Sequence, residues 1–270
     1  MSIIGVMQGR LILDENHRIQ SFPRSGWRKE FPLMKSLGLQ FLEWTIDKED
    51  MWSNPLLTVS GFEEIRELCA LNSVKVVSVT GDNLMQAPIH KVHNGLSTSI
   101  LECVDFLDKL NSAGIEILVW PLVDSGNLES KAEMEIFQEK FSEILPFLEK
   151  LKIKIAFETD LPAEYSLKLL NNLGSKSLGI NLDIGNIASY GFSFLDEFVK
   201  LRDFILHIHI KDRDFRGNTV PLGDGDVNWK EVTQTLSGNY SGIKILQTAR
   251  KSEPIRDIRD YIKFCERIGL

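Results

Sequence analysis

The sequence predicts an α/β fold, a single (β/α)8 or TIM barrel, on three observations. Eight short apolar runs are spread over 270 residues, which allots about 34 residues to each unit, near the size of a βα repeat. Amphipathic stretches with helical periodicity lie between the runs. No Pro/Gly/Ser-rich linker or low-complexity tract divides the chain, so residues 1–270 read as one domain. A doubly wound sheet would need a G-x-G-x-x-G turn after its first strand, and Met7-Gln8-Gly9-Arg10 is a poor substitute.

The runs are Ile3–Met7, Gln40–Ile46, Val74–Thr80, Ile115–Pro121, Ile153–Glu158, Leu178–Asp183, Phe204–Ile210 and Ile243–Gln247. Each is rich in Val, Ile, Leu or Phe, as suits parallel strands covered on both faces. Gly61–Asn72 repeats apolar residues at helical spacing through Phe62, Ile65, Leu68 and Cys69. Ile100–Asn111 does so through Ile100, Val104, Leu107 and Leu110. Ser130–Lys150 follows with Met134, Phe137, Phe141 and Ile144 inside, and Pro146 is a candidate kink. Gly38, Asn72-Ser73, Ala113-Gly114, Gly174 and Gly242 mark the passages from helix to strand.

Lys and Arg number 31 against 38 Asp and Glu, a net charge of −7. That balance argues against a nucleic-acid partner, which requires a basic face. No run approaches the roughly 18–20 apolar residues that span a bilayer. The first residues lack the basic stretch of a signal peptide. Cys69, Cys103 and Cys265 are odd in number and far apart, so free thiols in a cytoplasmic protein are expected.

Chemistry in such a barrel sits at the C-terminal ends of the strands. Here those ends are polar: Gln8 or Arg10, Glu43, Asp82, Trp120, Glu158, Asp183, His209 and Gln247. Glu158, Asp183 and His209 come from consecutive strands. Two carboxylates and an imidazole suit a divalent cation, with Mn2+, Mg2+ or Co2+ favoured and Zn2+ possible. The same residues suit internal hydrogen bonding equally well, Asp183 with His209 and Glu158 with a nearby Lys or Arg. His207 faces the same way as His209 but deeper, as a packed core histidine would. His17, His90 and His93 fall in loops and carry no assigned role. Lys211 and Arg213 either grip an anionic or hydroxyl-rich substrate or balance the acidic cluster.

These residues, with Asn181-Leu182-Asp183-Ile184-Gly185-Asn186, His207-Ile208-His209-Ile210-Lys211-Asp212-Arg213 and Pro221 to Trp229, resemble the xylose isomerase-like sugar isomerase/epimerase superfamily over the whole chain. The opening Met7-Gln8-Gly9-Arg10-Leu11 looks like an uncharacterised bacterial branch of it. The resemblance implies metal ligands Glu158, Asp183, His209 and Gln247, and a carbohydrate substrate. Two positions depart from the pattern. Gln247 stands where the superfamily usually has a Glu that is both ligand and base, and an amide cannot accept a proton near neutral pH. Asn186 stands where a substrate-binding His is common. Glu164 matches a substrate-contacting Glu, or caps the helix that begins near Pro162.

The resemblance implies an isomerase or epimerase that removes the proton beside a carbonyl through a metal-stabilised enediolate. Glu158 is then the base and Gln247 orients ligand or metal, with Lys211, Glu43 or a metal-bound water returning the proton. Trp44 or Trp120 stacks on a sugar ring or fills the layer between barrel and helices. Arg250 or Arg10 binds a phosphate or carboxylate, or forms an ordinary salt bridge. A dehydratase and a catalytically degenerate sugar- or metal-binding barrel are the competing readings, and a homo-oligomer is open. An abasic-site endonuclease needs more histidines at the mouth than this chain has.

Overall fold

A computed structural model describes residues 4–12, 20–250 and 252–270; His17 lies outside them. The barrel strands are β1 (Ile4–Met7), β2 (Phe41–Thr45), β3 (Lys75–Thr80), β4 (Ile117–Leu122), β5 (Lys154–Thr159), β6 (Leu178–Asp183) and β7 (Ile205–Ile210). A two-stranded hairpin follows, β8 (Asp212–Arg213) with β9 (Thr219–Val220), and β10 (Lys244–Leu246) closes the barrel. The parallel order is β1-β10-β7-β6-β5-β4-β3-β2. All eight barrel strands fall on the apolar runs, because a strand covered on both faces writes itself as a continuous hydrophobic stretch.

The helices are α1 (Trp27–Leu37), α2 (Val59–Asn72), α3 (Asp82–Gln86), α4 (Ile100–Ser112), α5 (Lys131–Leu148), α6 (Ala163–Leu173), α7 (Ile184–Ser189), α8 (Phe194–Leu201), α9 (Trp229–Leu236) and α10 (Pro254–Ile268). Side chains of Thr58, Ser99, Ser130, Ser193 and Asn228 cap their N-termini. Pro146 sits near the end of α5, two residues before the helix stops, where it removes the N–H that would reach back to the carbonyl of Ser142. Among the described residues, no helix is long and apolar enough to cross a membrane, and the three cysteines are free.

Trp120 corrects one expectation. Its ring is 1% exposed and packs edge-on against Phe137, Phe141 and Phe157, with centroids 5.2–6.5 Å away. It fills the layer between β4 and α5. The next residue, Pro121, lines the cavity instead and pairs in register with Glu158. Trp44 is buried against Trp27 and Phe22, its indole N–H donating to Asn54 Oδ1 at 2.9 Å. Trp120→Ala is expected to cost about 3–5 kcal/mol; a denaturant midpoint close to that of the parent protein would contradict this packing role.

Two register irregularities interrupt the pairing of strands that carry polar residues. One lies between Leu42 and Glu43 where β2 meets β3, the other between Ile180 and Asn181 where β6 meets β7. Beyond the second, Asn181 pairs with His207 and Asp183 with His209. An extra residue in one strand of a pair shifts the facing of everything after it.

Candidate active site

A cavity of about 450 Å³ opens at the C-terminal ends of the strands, large enough for a small sugar. Glu158, Asn186, Lys211, Arg213 and Gln247 line one part of it, and Arg10, Gln20, Thr80, Asp82 and Pro121 another. Gly217, Asn218 and Thr219 of the β8–β9 hairpin line it as well. Asp212 anchors the loop that follows. Its carboxylate accepts from the backbone N–H groups of Gly223, Gly225 and Val227 and from the Trp229 indole. Asp212 is thereby structural, which explains why a charged residue is fully buried there.

One ligand atom each of Glu158, Asp183 and His209 lies within 4.8 Å of the others. His209 Nδ1 is 3.2 Å from Glu158 Oε2 and 3.9 Å from Asp183 Oδ2. On the far side of the ring, Nε2 is 2.8 Å from Glu43 Oε1, so the N–H there donates to a carboxylate. A carboxylate behind the imidazole fixes the ring and leaves the other nitrogen toward an ion. Burial disfavours charge on His209, yet Glu43 and Glu158 on either side push its pKa up to about 10, so an ion binding at Nδ1 would have to displace a proton. Burial likewise opposes charge on Glu158, but His209 and Lys211 hold it well below the usual carboxylate range.

Asn181 supports this cluster. Its amide donates to Glu158 Oε2 at 3.1 Å and lies 2.9 Å from His209 Nδ1. Its oxygen is 3.0 Å from His207 Nδ1, which therefore donates. His207, 1% exposed, is pushed down to about 4 by burial despite Glu43 nearby, and stays neutral. Glu43, Ser78 and His207 form a hydrogen-bonded set. Glu43, His207 and His209 also offer three converging ligand atoms, and the bonds among them account for those atoms.

Other residues named from sequence fall as follows. Lys211 Nζ is 2.9 Å from Asp183 Oδ2 and donates to Gln247 Oε1 at 2.9 Å. The Gln247 amide N–H donates to Gln20 Oε1 at 3.2 Å, so both ends of the side chain are engaged. Asn186 donates to Glu158 Oε1 at 3.2 Å and accepts from Arg213 Nη1 at 2.7 Å. Arg10 is at the cavity wall. Arg250 packs behind it, against Gly9 and the carbonyl of Ser21. Gln8 is buried outside the cavity lining, its oxygen accepting from Thr45 N at 3.1 Å.

Two expectations are corrected here. Glu164 lies in the first turn of α6, its side chain exposed and ion-paired with Lys200 at 3.1 Å. It points to solvent because the buried stripe of α6 runs through Ala163, Ser166, Leu169 and Leu170. Glu43 does not line the cavity; it is fully buried beneath His209, so it cannot hand a proton to a substrate.

Sequence reasoning set Asp82 at the barrel mouth without a specific role and assigned none to Gln20 or Asn181. Both Asp82 oxygens accept from Gln20 Nε2, at 2.7 and 2.8 Å. Burial, then the charge of Asp47, pushes the Asp82 carboxyl up to about 8. Its place just after the third strand was the available signal. Gln20 comes from the loop after β1 and has no periodic pattern to betray it.

The family model of the xylose isomerase-like TIM barrel matches residues 31–268. An uncharacterised protein of Methanocaldococcus jannaschii is 28% identical over 144 residues, 48% of this chain. The match spans about half the length of that relative, 47%. D-psicose 3-epimerase of Clostridium cellulolyticum, solved with D-tagatose, superposes at a TM-score of 0.74 with 12% identity, over 98% of this chain and 99% of that one. A xylose isomerase-like barrel of Mycobacterium smegmatis, in complex with magnesium, gives 0.69 and 17% over 99% and 96%. The probable 3-DHS dehydratase AsbF of Bacillus anthracis gives 0.71 and 16% over 98% and 99%. At such identities the structural likeness is one of fold. With its closed eight-stranded barrel and a match over most of its length, the chain belongs to the xylose isomerase-like TIM-barrel family.

Proposed function

We propose that the protein is a metal-dependent isomerase or epimerase of a sugar, sugar phosphate or sugar acid. The observation that carries this is the convergence of Glu158, Asp183 and His209 beside a sugar-sized cavity, with Glu43 behind the imidazole. Two carboxylate oxygens and an imidazole nitrogen fit a hard or borderline divalent cation such as Mn2+, Mg2+ or Co2+, with Zn2+ also possible. Gln247 adds an amide oxygen as a fourth candidate ligand. A bound ion would supply electrostatic stabilisation to a substrate carbonyl whose neighbouring carbon is losing a proton.

The protein's own residues divide the remaining work. Glu158, ionised at neutral pH, takes the proton. Asn181 and Asn186 each donate to one of its oxygens and aim the carboxylate. Lys211 balances Asp183 and holds the Gln247 oxygen. Asp82, protonated at neutral pH, is the acid available in the same cavity. Arg213 and Asn186 position hydroxyl groups.

Gln247 favours a second reading. Both ends of its amide are hydrogen-bonded and neither accepts a proton, so Gln247 cannot serve as a second base beside Glu158. Glu158 as base with Asp82 protonating a departing β-hydroxyl would make a dehydratase. Exchange into D2O over a panel of keto-sugars, followed by NMR, separates the two: exchange with epimeric product supports the first, and loss of water the second. Absence of exchange across the panel in metal-loaded protein overturns both.

Elemental analysis tests the ligand set. Asp183→Ala and His209→Ala are each expected to lower bound divalent metal by tenfold or more. Unchanged metal content in both variants removes the assignment.

A further inference from the structure

We infer that Arg10 is an anion-binding subsite of the cavity, and hence that the substrate carries a carboxylate or phosphate. The inference rests on the reading of this cavity as the substrate site and narrows its substrate class.

Arg10 is 4% exposed, yet it lines the cavity. Its Nη2 donates to Gln20 Oε1 at 3.2 Å, while Nε and Nη1 are buried without a hydrogen-bond partner among the described residues. An unpaired buried guanidinium is costly, and such donors call for an occupant. The nearby carboxyl does not serve. Asp82 faces Gln20 Nε2, which takes both its oxygens, so an amide stands between acid and guanidinium. Burial, then the neighbouring Arg250, lowers the Arg10 pKa to about 9 against the opposing pull of Asp82, Glu30 and Glu43.

Among the described residues, the other cations that line the cavity are engaged. Lys211 is held by Asp183 and Gln247, and Arg213 by Asn186 and the Gly217 carbonyl. The local backbone is built for this placement. Gly9 has φ of +80° and donates its N–H to Glu30 Oε1 at 2.6 Å. Arg250 packs where a side chain at position 9 would stand. The Met7-Gln8-Gly9-Arg10 turn thus needs its glycine and delivers the guanidinium to the cavity wall. An oxyanion at Arg10 would receive charge-assisted hydrogen bonds from nitrogens that otherwise have none.

The test uses the full chain stripped of metal with EDTA, so that it reads binding without turnover. Calorimetry at low ionic strength compares D-gluconate and D-glucitol 6-phosphate with uncharged D-glucitol. At least one anion is expected to bind tenfold or more tightly than D-glucitol, and Arg10→Met to lower that affinity by about tenfold or more. Arg10→Lys should restore part of it. Preference for gluconate assigns a sugar acid, preference for the phosphate a phosphosugar, and comparable binding a general oxyanion site. The inference is overturned if D-glucitol binds as well as both anions, if neither anion binds at millimolar concentration, or if folded Arg10→Met keeps the anion affinity. Should Arg10→Met not fold, the anion-to-glucitol ratio of the parent protein decides. Missing deuterium exchange would overturn the isomerase reading and leave this ratio untouched.

Discussion

Glu158→Gln is expected to lower the rate of substrate proton exchange by about 10²–10⁴-fold, the range for removing a positioned general base. The substitution keeps the shape of the side chain and an oxygen that can face a cation. It removes the lone pair that accepts the proton. It also sets an amide N–H against Asn181 or Asn186, each of which donates to Glu158 in the parent protein. Metal content measured alongside the rate separates the two duties of this residue. Lost exchange with metal retained identifies the base. Lost exchange with lost metal identifies a ligand. A variant with normal kcat and a raised KM would show that Glu158 only binds, and the proposed proton abstraction would fail.

The second large effect belongs to Asp82→Asn. Asp82 gives up its proton only near pH 8 in the folded chain, because burial and the Asp47 charge oppose ionisation. As the acid it works in its protonated form, so kcat is expected to fall as pH rises through about 8. Asp82→Asn should lose that alkaline limb and about 10²-fold or more in kcat. Stability should move the other way. A folded pKa raised above the ordinary aspartate value of 3.8 means the native state prefers the proton, so stability is complete below about 4 and declines as pH rises toward 8. Asparagine does not ionise, so the variant should gain on the parent over that window, by on the order of 5 kcal/mol at pH 8. Equal stability at pH 5 and pH 8 relative to the parent would sink the shifted carboxyl. An alkaline limb that survives the substitution would sink its role as acid.

Glu158 and Asp82 stand at one cavity lined by polar groups, and among these Arg10 is buried with two of its nitrogens unpaired by the described residues. A packed apolar wall would be more stable and would do no chemistry. Local expense of this kind gathers at functional sites, where a ligand supplies the missing partner.

The sequence by itself determined the order and number of the barrel strands, the main helical stripes and the candidate ligands Glu158, Asp183 and His209. Those features are written locally: an apolar run, a 3.6-residue period, a charged residue that ends a strand. Tertiary structure decided the rest. Whether Trp120 or Pro121 turns inward depends on the phase of a two-residue alternation, which an apolar run does not fix. Glu164 faces solvent because its helix spends the opposite stripe on packing. Gln20 reaches Asp82 across 62 positions and Gln247 across 227, contacts that exist only once the first and last strands pair and the barrel closes. Local pattern fixes what each segment becomes, whereas a site at the mouth of a closed barrel is made from segments with no sequence relation to one another.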